Sequence, residues 1–307
     1  MSTLSVVLSV RNEEKKLART LSSITWANEI IVVDSDSTDN TVKVARKFTD
    51  KIFSRPNNPM LNVNKNFGFN QATGDWILSL DGDEEVTPLL TREIQETIKD
   101  KKQKTKNEIV GYWITRKNII FGKWIKHGLW WPDRQLRLFR RGRGKFPCRH
   151  VHEYLEVDGP TAELSEPYLH YNYETISQFI RKMETIYTES EVERLVASGY
   201  QVSWCDAIRF PISDFVKIYF AQRGYKDGLH GLVLSLLQSF YALIVFAKLW
   251  ERQGFVERDV ALAAITHELK RAGKEITYWN LSALINSTEG VLKQIWLKLK
   301  RRYVAKI

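Results

Sequence analysis

The stretch Trp76-Ile77-Leu78-Ser79-Leu80-Asp81-Gly82-Asp83-Glu84-Glu85 decides the fold. A run of nearly unbroken apolar residues passes directly into four carboxylates interrupted only by a glycine. A run this short, with no polar alternation, predicts a strand buried on both faces, as in a parallel sheet covered by helices. Outward toward the N-terminus the pattern repeats in Leu4–Val10 and Glu29–Val33, and more briefly in Ile52-Phe53. Between these runs the spacing is helical: Glu13–Ile24, with Leu17, Leu21 and Ile24 on one face, then Thr41–Phe48 and Leu61–Ala72. Alternating strands and helices predict an α/β fold, a mixed, mainly parallel sheet flanked by helices.

Ligands of open α/β sheets bind just outside the carboxyl ends of the strands. Two of these strands end in acid. Ile30–Val33 runs into Asp34-Ser35-Asp36-Ser37-Thr38-Asp39, and Trp76–Leu80 into Asp81-Gly82-Asp83. Clustered carboxylates are costly unless something cationic joins them. Asp81 and Asp83, separated by one glycine, can turn toward a single hard divalent ion and leave positions for phosphate oxygens. The plainer alternative makes Asp34 and Ser37 helix caps and Asp81–Glu85 an acidic turn; Ser37, Thr38 and Asp39 read as caps.

The next segment differs. Tyr112–Lys117, Gln135–Arg140 and Val151–Val157 are aromatic, basic and β-like, and residues 111–150 hold 11 Lys or Arg against one acid, Asp133. From Glu174 the chain reads as helical to its end. These boundaries predict a catalytic domain over 1–172, divided into 1–110 and 111–172, and a helical region over 173–307. Lys and Arg number 46 against 36 Asp and Glu, so the net charge is +10 and a polyanionic partner is expected. With 43% hydrophobic residues the chain is neither disordered nor fibrous. Two cysteines, Cys148 and Cys205, exclude a cysteine-built zinc site and a disulfide scaffold. The first ten residues lack the basic segment and apolar length of a signal peptide, which predicts a cytoplasmic protein.

Two C-terminal features bear on membranes. Gly228–Ala247 contains no Asp, Glu, Lys or Arg, though His230, Ser235, Gln238 and Ser239 weaken a spanning reading. Val291–Ile307 mixes Ile295, Trp296, Leu299 and Tyr303 with Lys293, Lys298, Lys300, Arg301 and Arg302, the pattern of a basic amphipathic helix on an anionic lipid surface. A buried helix with a solvated basic end is the alternative.

Four blocks in order carry a family resemblance: Ser5–Glu13; Ile31-Val32-Val33-Asp34-Ser35-Asp36-Ser37-Thr38-Asp39-Asn40-Thr41; Asn64-Lys65-Asn66-Phe67-Gly68 with Ala72–Trp76; and Leu80-Asp81-Gly82-Asp83-Glu84. Together they resemble the inverting glycosyltransferases of family 2, which have a GT-A (Rossmann-like) fold and use nucleotide-diphospho sugars. The resemblance implies that Val10, Arg11, Asn12 and Glu13 line base and ribose, that Asp34 bonds a uracil-like edge, and that Lys65 approaches base or phosphate. It further implies that Asp81 and Asp83 hold a metal–diphosphate, with Mn2+ or Mg2+ as cofactor. Asp36 departs from the pattern, which has glycine there; it either adds charge near the ribose or tightens the turn differently.

The blocks Trp130-Trp131-Pro132-Asp133-Arg134-Gln135-Leu136-Arg137-Leu138-Phe139-Arg140, His150-Val151-His152-Glu153-Tyr154 and Leu169-His170-Tyr171 are similar to the subgroup acting on lipopolysaccharide-core and other envelope sugars. An inverting transfer needs a carboxylate base and positive charge for the leaving diphosphate. Glu153 is the expected base, with Asp133 and Glu84 in reserve; His152 is the expected third metal ligand; Arg134 and Arg137 are expected at the diphosphate. Trp130 and Trp131 either stack on acceptor sugar or, as tryptophans of a large protein more often do, pack in the core. The expected reaction moves a hexose, glucose, from a uridine-diphosphate donor to a lipid-linked or lipopolysaccharide-core glycan on the cytoplasmic face of the inner membrane. Transfer to a polyprenyl phosphate is the alternative. A basic nucleic-acid-binding protein would have no use for acids at strand ends, and no nucleic-acid partner is expected. The turn Arg11-Asn12-Glu13-Glu14 lacks the glycines of a dinucleotide site.

Overall fold

The computed structural model describes residues 2–58, 60–99, 108–149 and 153–306. They form two compact units, Met1–Ile119 with Pro132–Asn172, and Ile120–Trp131 with Tyr173–Ile307. Residues 120–131 therefore go with the C-terminal unit.

The strands are β1 (Leu4–Val10), β2 (Glu29–Asp34), β3 (Ile52–Ser54), β4 (Trp76–Asp81), β5 (Glu84–Glu85), β6 (Gly111–Ile120), β7 (Lys123–Trp124), β8 (Asp133–Arg140), β9 (Gly144–Lys145), β10 (Glu156–Val157), β11 (Thr161–Glu163) and β12 (Tyr168–Tyr173). The helices are α1 (Leu17–Ser22), α2 (Thr41–Ala45), α3 (Leu61–Gln71), α4 (Pro88–Lys99), α5 (Ile176–Lys182), α6 (Thr188–Ala197), α7 (Asp206–Phe215), α8 (Leu229–Arg252), α9 (Leu262–Ser287) and α10 (Val291–Lys306).

The main sheet runs β3-β2-β1-β4-β8-β6-β12-β5. It is parallel through β3, β2, β1 and β4 and turns antiparallel at β8. The expected mixed sheet flanked by helices is thus the observed one. Alternate residues of β1 explain its unbroken apolar run: Leu4, Val6, Leu8 and Val10 pack with Leu17 and Leu21 of α1 on one face, while Val7 packs with Phe69 and Ala72 on the other. The register sets Val10 beside Asp34 and Ser9 beside Asp81, so β2 and β4 deliver their acids one residue apart on either side of β1.

Gly68 lets α3 lie directly on the sheet. A Cβ there would come within 2.5 Å of Val7 Cγ1 and 2.9 Å of Val33 Cγ2. Gly82 plays the same part between the two aspartates, where a Cβ would press on Glu13 and Val10.

In the second unit α8 packs against α7 and α6, and buries Leu234, Val245 and Leu249. Among the described residues α8 is the helix long and apolar enough to cross a membrane. α9 and α10 pair through Leu281, Ile285 and Leu297.

Three local expectations shift. The helix expected over 13–24 is limited to α1, because Asn12 to Glu14 are drawn into contacts with residues 37–41. The strand expected over 151–157 survives as β10, with residues 150–152 outside the described part. Trp130 is buried in the second unit with Ile125, Phe179 and Ile218.

Candidate active site

The loop after β1 is cross-linked to the loop after β2. Asn12 adopts a positive φ of 54°; its Oδ1 accepts the Thr38 N–H at 2.8 Å and its own N–H donates to Ser37 Oγ at 2.9 Å. The Glu13 N–H donates to Thr41 Oγ1 and the Glu14 N–H to Asp39 Oδ2. Asp39 also accepts the Thr41 N–H from the position before Asn40, the N-cap of α2, so it closes a local turn there rather than capping the helix itself, while Ser37 staples the loops. Asp36 is exposed at φ 61°. That is the left-handed region, which glycine enters without cost and Asp tolerates better than most residues. The departure from the family pattern is thus a turn residue with its charge in solvent.

Asp34 is only 4% exposed. Its Oδ2 accepts the Ser37 N–H at 3.3 Å, whereas Oδ1 is buried and accepts no hydrogen bond. A buried carboxylate oxygen with no donor carries an unmet desolvation cost, and such groups occur where a ligand completes the bonding. It lies beside Val10 at the strand ends, where a planar N–H donor would satisfy it.

On the other side of β1, Asp81 is held by two cations. Lys65 Nζ lies 2.6 Å from Oδ1 and Arg137 Nη2 donates to Oδ2 at 2.7 Å. Arg137 is itself buried, donating also to Glu84 Oε1 at 2.5 Å and to the Tyr168 hydroxyl at 3.2 Å. Burial opposes ionisation of Asp81, but Lys65 and Arg137 outweigh it and hold the carboxyl well below its usual range. Complete burial pushes Glu84 up to about 7, with Arg137 opposing and Asp81 adding to the rise. Glu84 closes the turn by accepting the Asp81 N–H at 2.9 Å.

Asp83 is 7% exposed and lies between Lys16 Nζ, at 3.7 Å, and His170 Nε2, at 3.5 Å. The opposite nitrogen of His170 meets Asn118 Oδ1 at 2.7 Å, and the Asn118 amide donates to Asp133 Oδ2 at 3.0 Å. Asp133 also accepts from Arg116 Nε at 2.7 Å and from Gln135; burial opposes its ionisation, but Arg116 and these bonds lower it. The amide orientation has a consequence. With Nδ2 committed to Asp133, Oδ1 is what faces the imidazole, so Nδ1 carries a hydrogen and Nε2 is the nitrogen that faces the Asp83 carboxylate.

The other expected residues are spread more widely. Glu153 accepts the Cys148 and Arg149 N–H groups at 2.5 and 2.9 Å and the Asn62 amide at 3.1 Å. Arg134 is half exposed and pairs with Glu163 at 2.6 Å. Arg137 stands on Asp81 and Glu84 as described. Trp131 meets Trp124 edge-on in the second unit. His152 lies outside the described residues. Among those described, no group of three or more His, Cys, Asp or Glu is assembled as a metal cage. Sequence reading singled out the block Leu169-His170-Tyr171 without giving His170 a role, and it missed Asn118 and Lys16 as site residues.

The family model Glycosyl transferase family 2 matches residues 5–154. Residues 5–154 carry a domain of that family. The chain is 26% identical over 271 residues to the lipopolysaccharide core biosynthesis glycosyltransferase LpsC of Rhizobium meliloti, covering 86% of this chain and 98% of that one. An uncharacterized glycosyltransferase of Rickettsia felis is 27% identical over 288 residues, covering 90% of this chain and 100% of the other. S. aureus TarS 1-349 in complex with UDP-GlcNAc aligns at a TM-score of 0.44 and 15% identity, over 85% of this chain and 95% of that one.

Proposed function

We propose that the chain is an inverting, metal-dependent hexosyltransferase that uses a uridine-diphosphate donor, with glucose as the sugar. The acceptor in this reading is a lipopolysaccharide-core or other lipid-linked glycan at the cytoplasmic face of the inner membrane, as the name of LpsC suggests. The observation that carries it is Asp34 Oδ1, a buried acceptor without a donor at the end of β2. Uracil offers an N–H at the edge opposite its sugar; cytosine offers a lone pair at the same position and would meet the carboxylate with repulsion.

A hard divalent ion belongs to this reading, supported by the carboxylates at the turn after β4. Asp83 and His170 would hold it, with Asp81 at the same turn, and Mn2+ or Mg2+ accepts such oxygen and imidazole donors. When bound it offsets the charge that builds on the leaving diphosphate. Lys65 and Arg137 keep Asp81 ionised for that role. In the transfer the acceptor hydroxyl oxygen bonds to the anomeric carbon, the bond from that carbon to the diphosphate oxygen breaks with its electron pair leaving on the diphosphate, and the hydroxyl proton passes to a carboxylate. Glu153 remains the first assignment for that base. Asp133 is the second, favoured by its connection through Asn118 and His170 to Asp83.

Calorimetric titration tests the reading. Uridine diphosphate with Mn2+ is expected to bind, cytidine diphosphate to bind at least tenfold more weakly, and Asp34→Ala to lose about tenfold to a hundredfold in affinity for the uridine nucleotide. Equal affinity for the two nucleotides, or an unaffected Asp34→Ala, overturns it. Glu153→Gln and Asp133→Asn then separate the bases: the true one loses turnover while donor affinity stays.

A further inference from the structure

The exposed side of α10 is unlike an ordinary solvated helix face. Leu297 is buried and Gln294, Arg301 and Val304 are partly so; these residues turn toward α9, where Arg301 Nη1 donates to Ser282 Oγ at 3.1 Å. At about 3.6 residues per turn, the opposite side carries Leu292, Ile295, Trp296, Leu299 and Tyr303, each between 48% and 84% exposed. They form one continuous apolar stripe along the helix. Lys293 and Lys300 border it on one side, and Lys298 and Arg302 on the other. The helix holds six basic residues and no acidic one. Lys300 Nζ lies 5.2 Å from the Trp296 ring, its charge at the rim of the stripe.

We infer that this face of α10 lies in the surface of an anionic lipid bilayer, with the stripe in the acyl boundary and the flanking cations among the headgroups. The charge distribution selects this occupant. A second copy of the same all-basic helix would bring like charges together, and a nucleic acid would leave the Leu and Trp stripe facing phosphate. Long basic side chains on both borders can extend to headgroups while their stems cover apolar surface, and Trp and Tyr suit the boundary itself. The inference goes beyond the transfer reaction and does not rest on the donor assignment.

The test is co-sedimentation of the full chain with vesicles of phosphatidylcholine alone and with added phosphatidylglycerol. Binding is expected only to the anionic vesicles and should weaken with salt. Lys298→Glu with Lys300→Glu should reduce the partition coefficient on the order of thirtyfold or more, from about 1 kcal/mol for each cation at the surface. Trp296→Ser with Leu299→Ser should abolish it, while thermal melting stays unchanged because neither side chain packs inside the protein. Equal binding to both vesicle types, or binding that ignores both double variants, overturns the inference. So does a concentration-dependent dimer that Trp296→Ser with Leu299→Ser makes monomeric, because the face would then be covered by a second copy. Nucleotide binding, measured separately, should be the same in all variants.

Discussion

Asn118 Oδ1 sits 2.7 Å from His170 Nδ1, and this contact fixes which nitrogen of the ring faces Asp83. If Asn118 orients the imidazole for a cation, then Asn118→Leu should weaken Mn2+ binding by about tenfold to a hundredfold, the usual effect of removing such a partner. Titration of free Mn2+ by electron paramagnetic resonance reads this without any turnover. An unchanged affinity would remove His170 from the metal assignment.

Arg137 gives a stability prediction. Its guanidinium stands between two carboxylates, one of them fully buried, and removing one partner of such a pair leaves an uncompensated charge. Arg137→Met should destabilise the protein by about 3–5 kcal/mol, read as a lower denaturant midpoint. Adding Glu84→Gln should recover part of the loss, because the buried acid no longer needs a counter-charge.

Acid sensitivity should trace in part to Glu29, a residue far from the strand-end acids. Burial opposes its ionisation, yet Lys51, the Ser5 hydroxyl and Thr73 hold the carboxyl at about 2, below its ordinary 4.5. A folded-state value below the unfolded one adds stability that is fully present above pH 4.5 and is lost as pH falls toward 2. Between pH 7 and pH 3 the wild type should therefore lose more stability than Glu29→Gln, by roughly 1–2 kcal/mol. Parallel urea melts at the two pH values would show it, and identical losses would refute it.

Asp36→Gly should leave the loop intact and raise stability by a few tenths to about 1 kcal/mol, since the residue stands at positive φ with its side chain in solvent. Nucleotide affinity should be unchanged. A fall in affinity would mean that the Asp36 charge reaches the ribose after all.

Asp34 and Asp81 were legible in the sequence because each closes an apolar run with no turn between strand and acid, so the end of the strand was also the position of the group; Asp83 followed from its place one glycine beyond Asp81. The role of His170 was not legible. It comes to Asp83 through the antiparallel pairing of β12 with β5, which places His170 opposite Glu84. That long-range register leaves no local pattern, so the block Leu169-His170-Tyr171 stood out without showing that its histidine meets Asp83. The role of Arg137 was hidden for a related reason: within a basic segment nothing marks the one arginine that is buried on two acids. The membership of residues 120–131 in the second unit was equally unreadable, since strands of the first unit flank them on both sides.

Gly68 touches no nucleotide and no metal in any of these assignments, yet it acts as a gauge for both. Lys65 stands one turn before it on α3, and the helix can rest on Val7 and Val33 only because position 68 has no side chain. A single methyl group there would lift the helix like a shim. The ammonium that steadies Asp81 would then be withdrawn from a site whose own residues were all intact.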